Sequence, residues 1–156
     1  MTLLAAPFDS AGRPDQTRSV TRGARILLRA LGASVLCEFP LPNGRRADLA
    51  ALSKDGSFRI VEVKSSLADY RADGKWMHYR PFCDRFYFAA PLDLGAAPEE
   101  TFPADAGLIV ADAHGAVVRR DAPVHPLSSA TRRALLIRFG QMAAERLHFA
   151  QHPGEF

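Results

Sequence analysis

Three short strand-like runs decide the fold: Val35-Leu36-Cys37-Glu38-Phe39-Pro40-Leu41, Arg45-Arg46-Ala47-Asp48-Leu49-Ala50-Ala51-Leu52-Ser53 and Ser57-Phe58-Arg59-Ile60-Val61-Glu62-Val63-Lys64. They are separated by Pro42-Asn43-Gly44 and Lys54-Asp55-Gly56. Each connector has the chemistry of a three-residue hairpin loop, a type I turn closed by a glycine in the left-handed region. The reading is a β-meander whose third strand, apolar on both faces, is covered on both sides. Three-residue loops also set the register. Leu41 faces Arg45 and Ser53 faces Ser57, so counting back places Glu38 opposite Asp48 and Asp48 opposite Glu62.

Outward from the meander, the pattern turns helical. Thr17 to Leu31 carries Val20, Ala24, Leu27, Leu28 and Leu31 at three- and four-residue spacing and stops at Gly32, which predicts an amphipathic helix. Its other face carries Arg18, Arg22, Arg25 and Arg29, a row that reads either as a solvated face or as a phosphate-contacting one. Residues 1 to 15 read as a loose arm. Ser66 to Phe82 reads as a second helix with Gly74 as a weak point, and Arg85 to Ala90 as a strand ended by Pro91. Leu92 to Asp105 reads as loop, Gly107 to Ala111 with Ala116 to Arg119 as a second hairpin, and Leu127 to Phe149 as a long helix. That helix is expected to start behind Ser128 or Ser129 and to bury Leu135, Leu136, Phe139, Met142, Ala143 and Leu147.

The chain has 156 residues, 47% of them hydrophobic and 24% charged, enough for one domain with a full core. We therefore expect a single domain over residues 1–156, with a core at about 17–91 and a C-terminal extension at about 92–156. No apolar run approaches the roughly 20 residues of a membrane span. The N-terminus lacks the basic-then-apolar layout of a secretion signal. A cytoplasmic protein without membrane contact is expected. Cys37 and Cys83 cannot form a disulfide framework and read as small buried hydrophobes in a reducing compartment. A formal net charge of +3 fits a polyanionic partner without requiring one.

Strand pairing gathers the chemistry. Side chains directly opposite one another on antiparallel strands lie about 5 Å apart, and the two-residue period adds Lys64 to the face of Glu62. Glu38, Asp48, Glu62 and Lys64 are thus expected to project from one face. Two carboxylates at that separation repel by roughly 3 kcal/mol at an effective dielectric of about 20. A hard divalent ion removes the repulsion: Mg²⁺ takes oxygen ligands and keeps several waters, so carboxylates plus a strand carbonyl suit it. Water activated by such an ion is a candidate nucleophile, and a neighbouring lysine can orient it.

The order helix, strand, strand with Asp48, strand with Glu62-Val63-Lys64, helix, strand resembles the PD-(D/E)xK nuclease superfamily and its restriction-endonuclease-like fold. The acidic-x-lysine tripeptide alone is a weak signal; its place at the end of a buried strand, with an aspartate on the hairpin partner, carries the likeness. More narrowly, Asn43-Gly44-Arg45-Arg46-Ala47-Asp48, Glu62-Val63-Lys64-Ser65-Ser66, the run from Asp69 to Trp76, Tyr79, Cys83-Asp84 and the run from Ala106 to Asp112 resemble the MmcB-like family of bacterial DNA repair proteins. The resemblance implies an α/β restriction-endonuclease-like αβββαβ core with a mixed central sheet, plus a C-terminal hairpin and helix. It implies DNA as partner and substrate, Mg²⁺ or Mn²⁺ as cofactor, Asp48 and Glu62 as catalytic metal ligands, the Val63 carbonyl as a further ligand, and Lys64 positioning the attacking water.

Many members of the superfamily carry an acidic residue on the first helix, which Thr17 to Leu31 lacks. Glu38 is the proposed substitute; the competing reading pairs it with Arg46 or Arg45. Arg45, Arg46, Arg22 and Arg25 are expected to hold the DNA backbone. Lys75 and Tyr79 resemble a Gln-x-x-x-Tyr element that some recombination nucleases carry on the helix after the catalytic strand, with core packing as the alternative for Tyr79. Asp69, Asp73 and Arg71 read as a helix-surface salt-bridge set, and Ser66 as a helix cap. The five histidines form no metal-binding spacing with the cysteines. A non-catalytic DNA-binding or scaffold protein of the same fold is the alternative function, and a homodimer is left open.

Overall fold

The computed structural model describes residues 13–156, so most of the expected N-terminal arm lies outside the described residues. Helix α1 (Arg13–Ala30) ends at Gly32, whose φ of +87° closes the last turn, a conformation glycine adopts without a Cβ clash. Val20, Ala24 and Leu28 are essentially inaccessible and form the stripe that the spacing predicts. Leu31 is the exception and stays exposed, because the helix has already ended. Strands β1 (Ser34–Pro40), β2 (Arg46–Leu52) and β3 (Phe58–Val63) form the meander. Both loops have three residues: Leu41 N–H donates to the Arg45 carbonyl at 2.7 Å and Ser53 N–H to the Ser57 carbonyl at 3.0 Å. Gly44 and Gly56 take φ of +81° and +84°. The register follows from these turns, with Leu36 opposite Ala50 and Ala50 opposite Ile60.

After β3 the chain crosses one face of the sheet through α2 (Leu67–Ala72) and two 3₁₀ turns, Trp76–His78 and Arg80–Phe82. The single helix expected from Ser66 to Phe82 is therefore broken into three pieces. Asp73 Oδ1 accepts the Lys75 N–H at 2.8 Å, a local turn that competes with helical bonding, and Pro81 has no N–H to continue it. Strand β4 (Arg85–Ala90) pairs parallel to β3, α3 (Leu92–Gly95) starts the next crossing, and β5 (Gly107–Ala111) pairs parallel to β4. Strand β6 (Ala116–Arg120) returns antiparallel. The result is one mixed sheet in the order β1-β2-β3-β4-β5-β6.

Each face has its own core. The stripe of α1 covers Leu49, Ala51, Val61, Val63, Tyr87, Ala89 and Ile109. The opposite face packs Phe39, Phe58, Ile60, Phe86 and Phe88 against Tyr79, Phe102 and two residues of α4 (Ser129–Gln151), Leu135 and Phe139. Helix α4 starts at Ser128, whose side chain accepts the Thr131 N–H. It buries a narrower stripe than its sequence predicts: Leu136, Met142 and Ala143 are half-buried, and Leu147 is exposed, because the second half of the helix runs beyond the sheet's cover. Among the described residues, no helix is long and apolar enough to cross a membrane.

Asp84 ties the C-terminal segment to the core. Its carboxylate accepts Phe58 N–H at 2.7 Å and Leu127 N–H at 2.9 Å. It also holds Arg132 of α4 through two bonds at 2.8 and 2.7 Å. The start of β3, the start of β4 and the first turn of α4 thus meet at one buried carboxylate. The bonds to Arg132 and the two N–H groups outweigh the effect of burial and hold Asp84 below the usual carboxylate range.

Candidate active site at the end of β3

Regular alternation fails at one step of β1 and β2. Cys37 packs with the α1 core and Phe39 lies in the opposite core; likewise Leu49 and Ala47 fall on opposite faces. In an undistorted strand, residues two apart share a face. The intervening pair, Glu38 and Asp48, is also the step at which the ladder is missing, between Cys37↔Leu49 and Phe39↔Ala47. Glu38 has φ of +50° there.

The step releases Asp48 toward β3. Asp48 N–H donates to Glu62 Oε1 at 3.0 Å, and Asp48 Oδ2 accepts Val63 N–H at 2.8 Å. Each strand therefore lends a backbone N–H to the other's carboxylate, where a regular ladder would use carbonyls. Glu62 and Lys64 are buried, at 5% and 8% exposure, and Asp48 is half-buried. Burial, followed by the nearby charge of Asp48, raises Glu62 to about 8. Burial also raises Asp48, against the lowering effects of the Val63 N–H and of Lys64. Two buried carboxylates this close cannot both ionise readily, so the pair keeps a proton at neutral pH.

Lys64 is held from the other side. Its Nζ lies 2.5 Å from Asp73 Oδ2, with both side chains largely buried. Burial works against ionisation of Asp73, but the Lys64 hydrogen bond, the Lys75 N–H and the two lysine charges prevail and lower it. Asp73 therefore belongs to the site and not to a surface salt-bridge set. Spacing gave no signal for this, because the contact is made only once the loop folds back over β3. Ser66 caps α2, its Oγ accepting Asp69 N–H at 3.0 Å, and Asp69 Oδ2 accepts the N–H of Ser65, the residue before the cap, at 3.2 Å.

Glu38 departs from the expected four-residue constellation. Its side chain is exposed and faces Arg46 at 3.9 Å, the ion-pair alternative of the sequence reading. Among the described residues no group of three His, Cys, Asp or Glu side chains is placed to hold a metal ion. Asp48 and Glu62 are the acidic residues brought together. Tyr79 also departs from a DNA-contacting role. It is 9% exposed and stacks on Phe86 at 6.2 Å, because the break of the helix turns it into the core. Burial and then the Glu62 and Asp48 charges raise its hydroxyl above the usual tyrosine value. Lys75 is exposed at the head of the first 3₁₀ turn, Arg46 is exposed and Arg45 half-buried.

The first-helix arginines line a cleft of about 610 Å³ between α1 and the β1–β2 kink. Arg18, Arg22 and Arg25 form one wall; Cys37, Glu38 and Asp48 belong to the other. Among the described residues none of these arginines is in an ion pair. The cleft therefore joins uncompensated positive charge to one member of the acidic pair.

The helix, the meander and the parallel β3–β4 step define a restriction-endonuclease-like α/β protein, with an acidic pair and a buried lysine at the end of its central strand. The chain belongs to the MmcB-like family: the family model described as DNA repair protein MmcB-like matches residues 5–154. Among solved structures, the SPO1766 protein of unknown function from Silicibacter pomeroyi is 37% identical, with a TM-score of 0.82, over 90% of this chain and 95% of that one. No curated protein matches the chain.

Proposed function

We propose that the protein is a metal-dependent DNA nuclease that hydrolyses phosphodiester bonds in DNA repair, with Mg²⁺ or Mn²⁺ held by Asp48 and Glu62. The observation that carries the reading is the acidic pair at the end of β3, in which buried Glu62 and half-buried Asp48 each accept a backbone N–H from the other's strand. An all-oxygen pair suits a hard ion that keeps most of its waters, so two carboxylates, with the Val63 carbonyl as a further candidate, fit the proposed metal. When bound, the ion supplies Lewis-acid stabilisation of charge developing on the phosphate. Lys64, oriented by Asp73, donates hydrogen bonds toward the attacking water. Arg22, Arg25, Arg45, Arg46 and Lys75 hold the DNA backbone.

One observation favours the second reading, a non-catalytic DNA-binding protein of this fold. Lys64 is already engaged with Asp73 at 2.5 Å, an arrangement that a purely structural ion pair also produces. Metal-linked stability separates the two. A hundredfold excess of ion over Kd raises wild-type stability by about 2.7 kcal/mol. Asp48→Asn keeps an acceptor for Val63 N–H, so it is at least as stable as the wild type without metal and loses most of the metal-dependent gain. A wild type with no Mg²⁺ or Mn²⁺ shift, together with an Asp48→Asn variant destabilised by several kcal/mol, assigns the carboxylates to structure.

A further inference from the structure

Glu38 is the one non-glycine residue with a positive φ among the described residues, at +50°. No hydrogen bond of its own side chain explains that conformation, since the carboxylate points to solvent and Arg46 at 3.9 Å. Its backbone carbonyl has a partner at the surface: the exposed Arg146 of α4 donates from Nη2 to the Glu38 carbonyl at 3.1 Å. Left-handed backbone at a non-glycine residue is uncommon and persists where its surroundings over-determine it. Here it coincides with the single step at which β1 and β2 exchange faces, and with the release of Asp48 from the ladder.

We propose that Glu38 is a positioning residue that acts through its backbone. Its left-handed conformation, clamped by Arg146, turns Asp48 out of the β1–β2 ladder so that Asp48 and Glu62 exchange backbone N–H groups and form the acidic pair. The carboxylate of Glu38 is not a metal ligand in this account, and the clamp gives α4 a part in building the site. The consequence for metal binding rests on the nuclease reading; the consequence for the Val63 amide does not.

Residues that tolerate positive φ replace Glu38 and β-branched ones do not. The test is amide hydrogen exchange at Val63 in the full chain, beside Mn²⁺-dependent melting, for Glu38→Gly, Glu38→Asn, Glu38→Val and Arg146→Ala. Glu38→Gly and Glu38→Asn keep Val63 protection within about twofold of the wild type, and Glu38→Val loses it by about tenfold or more. Arg146→Ala shows an intermediate loss and carries the test if Glu38→Val does not fold. With Mn²⁺ alone, the glycine and asparagine variants keep the wild-type melting shift. A general loss of stability does not reproduce rescue by glycine and asparagine. If those two variants lose Val63 protection as fully as valine does, or if Arg146→Ala leaves it unchanged, the proposal is overturned. Loss of the Mn²⁺ shift in the glycine and asparagine variants with Val63 protection intact makes the carboxylate a ligand and overturns it too. A wild type without a Mn²⁺ shift refutes the nuclease reading alone, and the exchange data still decide this one.

Discussion

Glu62→Gln isolates the proton held by the acidic pair. In the folded protein Glu62 titrates at about 8, against an ordinary value of 4.5. Between these values the unfolded chain releases the proton and the folded chain keeps it, so stability falls as pH rises. The slope is about 1.4 kcal/mol per pH unit. The penalty is absent below about pH 4.5 and complete above about pH 8, where it reaches on the order of 5 kcal/mol, shared by the coupled pair. Glutamine keeps an acceptor for Asp48 N–H and removes the titration. Urea unfolding followed by circular dichroism at pH 5, 6.5 and 8, with chelator present, measures the difference between variant and wild type. The two should be close at pH 5, and the variant should be more stable at pH 8 by several kcal/mol. Saturating Mg²⁺ should shrink that advantage, because the ion takes the place of the proton. Parallel wild-type and variant curves across the whole range, or a wild type that gains on the variant as pH rises, would refute the reasoning.

Two further outcomes follow from other parts of the molecule. Asp84→Ala removes four hydrogen bonds from a buried carboxylate and leaves Arg132 without its partner; because Arg132 is partly solvated, the cost should sit near about 3 kcal/mol, a fall in Tm of roughly 6–12 °C in a calorimetric scan. Replacing Arg22 and Arg25 with Glu should weaken DNA binding uniformly across sequences and flatten the log-log salt dependence by about 2, one phosphate contact per arginine, as read by fluorescence anisotropy; an unchanged slope removes α1 from the interface.

Local chemistry in the sequence accounts for the meander almost completely. Asn43-Gly44 and Asp55-Gly56 set three-residue turns, and turn length sets register, which is why the sequence alone places Asp48 beside Glu62. What the sequence could not show is a break in alternation. Counting pairs assumes that every residue keeps its face, and the positive φ of Glu38 violates that assumption at the one step that matters for the site. The helix expected from Ser66 to Phe82 reads smoothly because Tyr70, Trp76, Tyr79 and Phe82 have helical spacing; the turn closed by Asp73 and the ring of Pro81 override it. Asp73 and Asp84 were illegible as site and anchor for a different reason. Their decisive partners, Lys64 in one case and Arg132 in the other, meet them only through tertiary folding, the second across 48 positions of chain. The arginine row on α1, by contrast, was visible from its spacing, and the structure adds the cleft that joins it to Asp48.

The most direct measurement is cleavage by the purified full chain of end-labelled single-strand, duplex, flap and junction DNA, with Mg²⁺ and Mn²⁺ supplied separately and Asp48→Asn and Lys64→Ala run beside the wild type. The wild type should cut at least one substrate in a metal-dependent way, Asp48→Asn should lose both cutting and the metal-dependent melting shift, and Lys64→Ala should lose cutting with that shift retained. Wild-type protein that binds these DNAs in a salt-dependent way yet cuts none of them with either ion would contradict the nuclease reading.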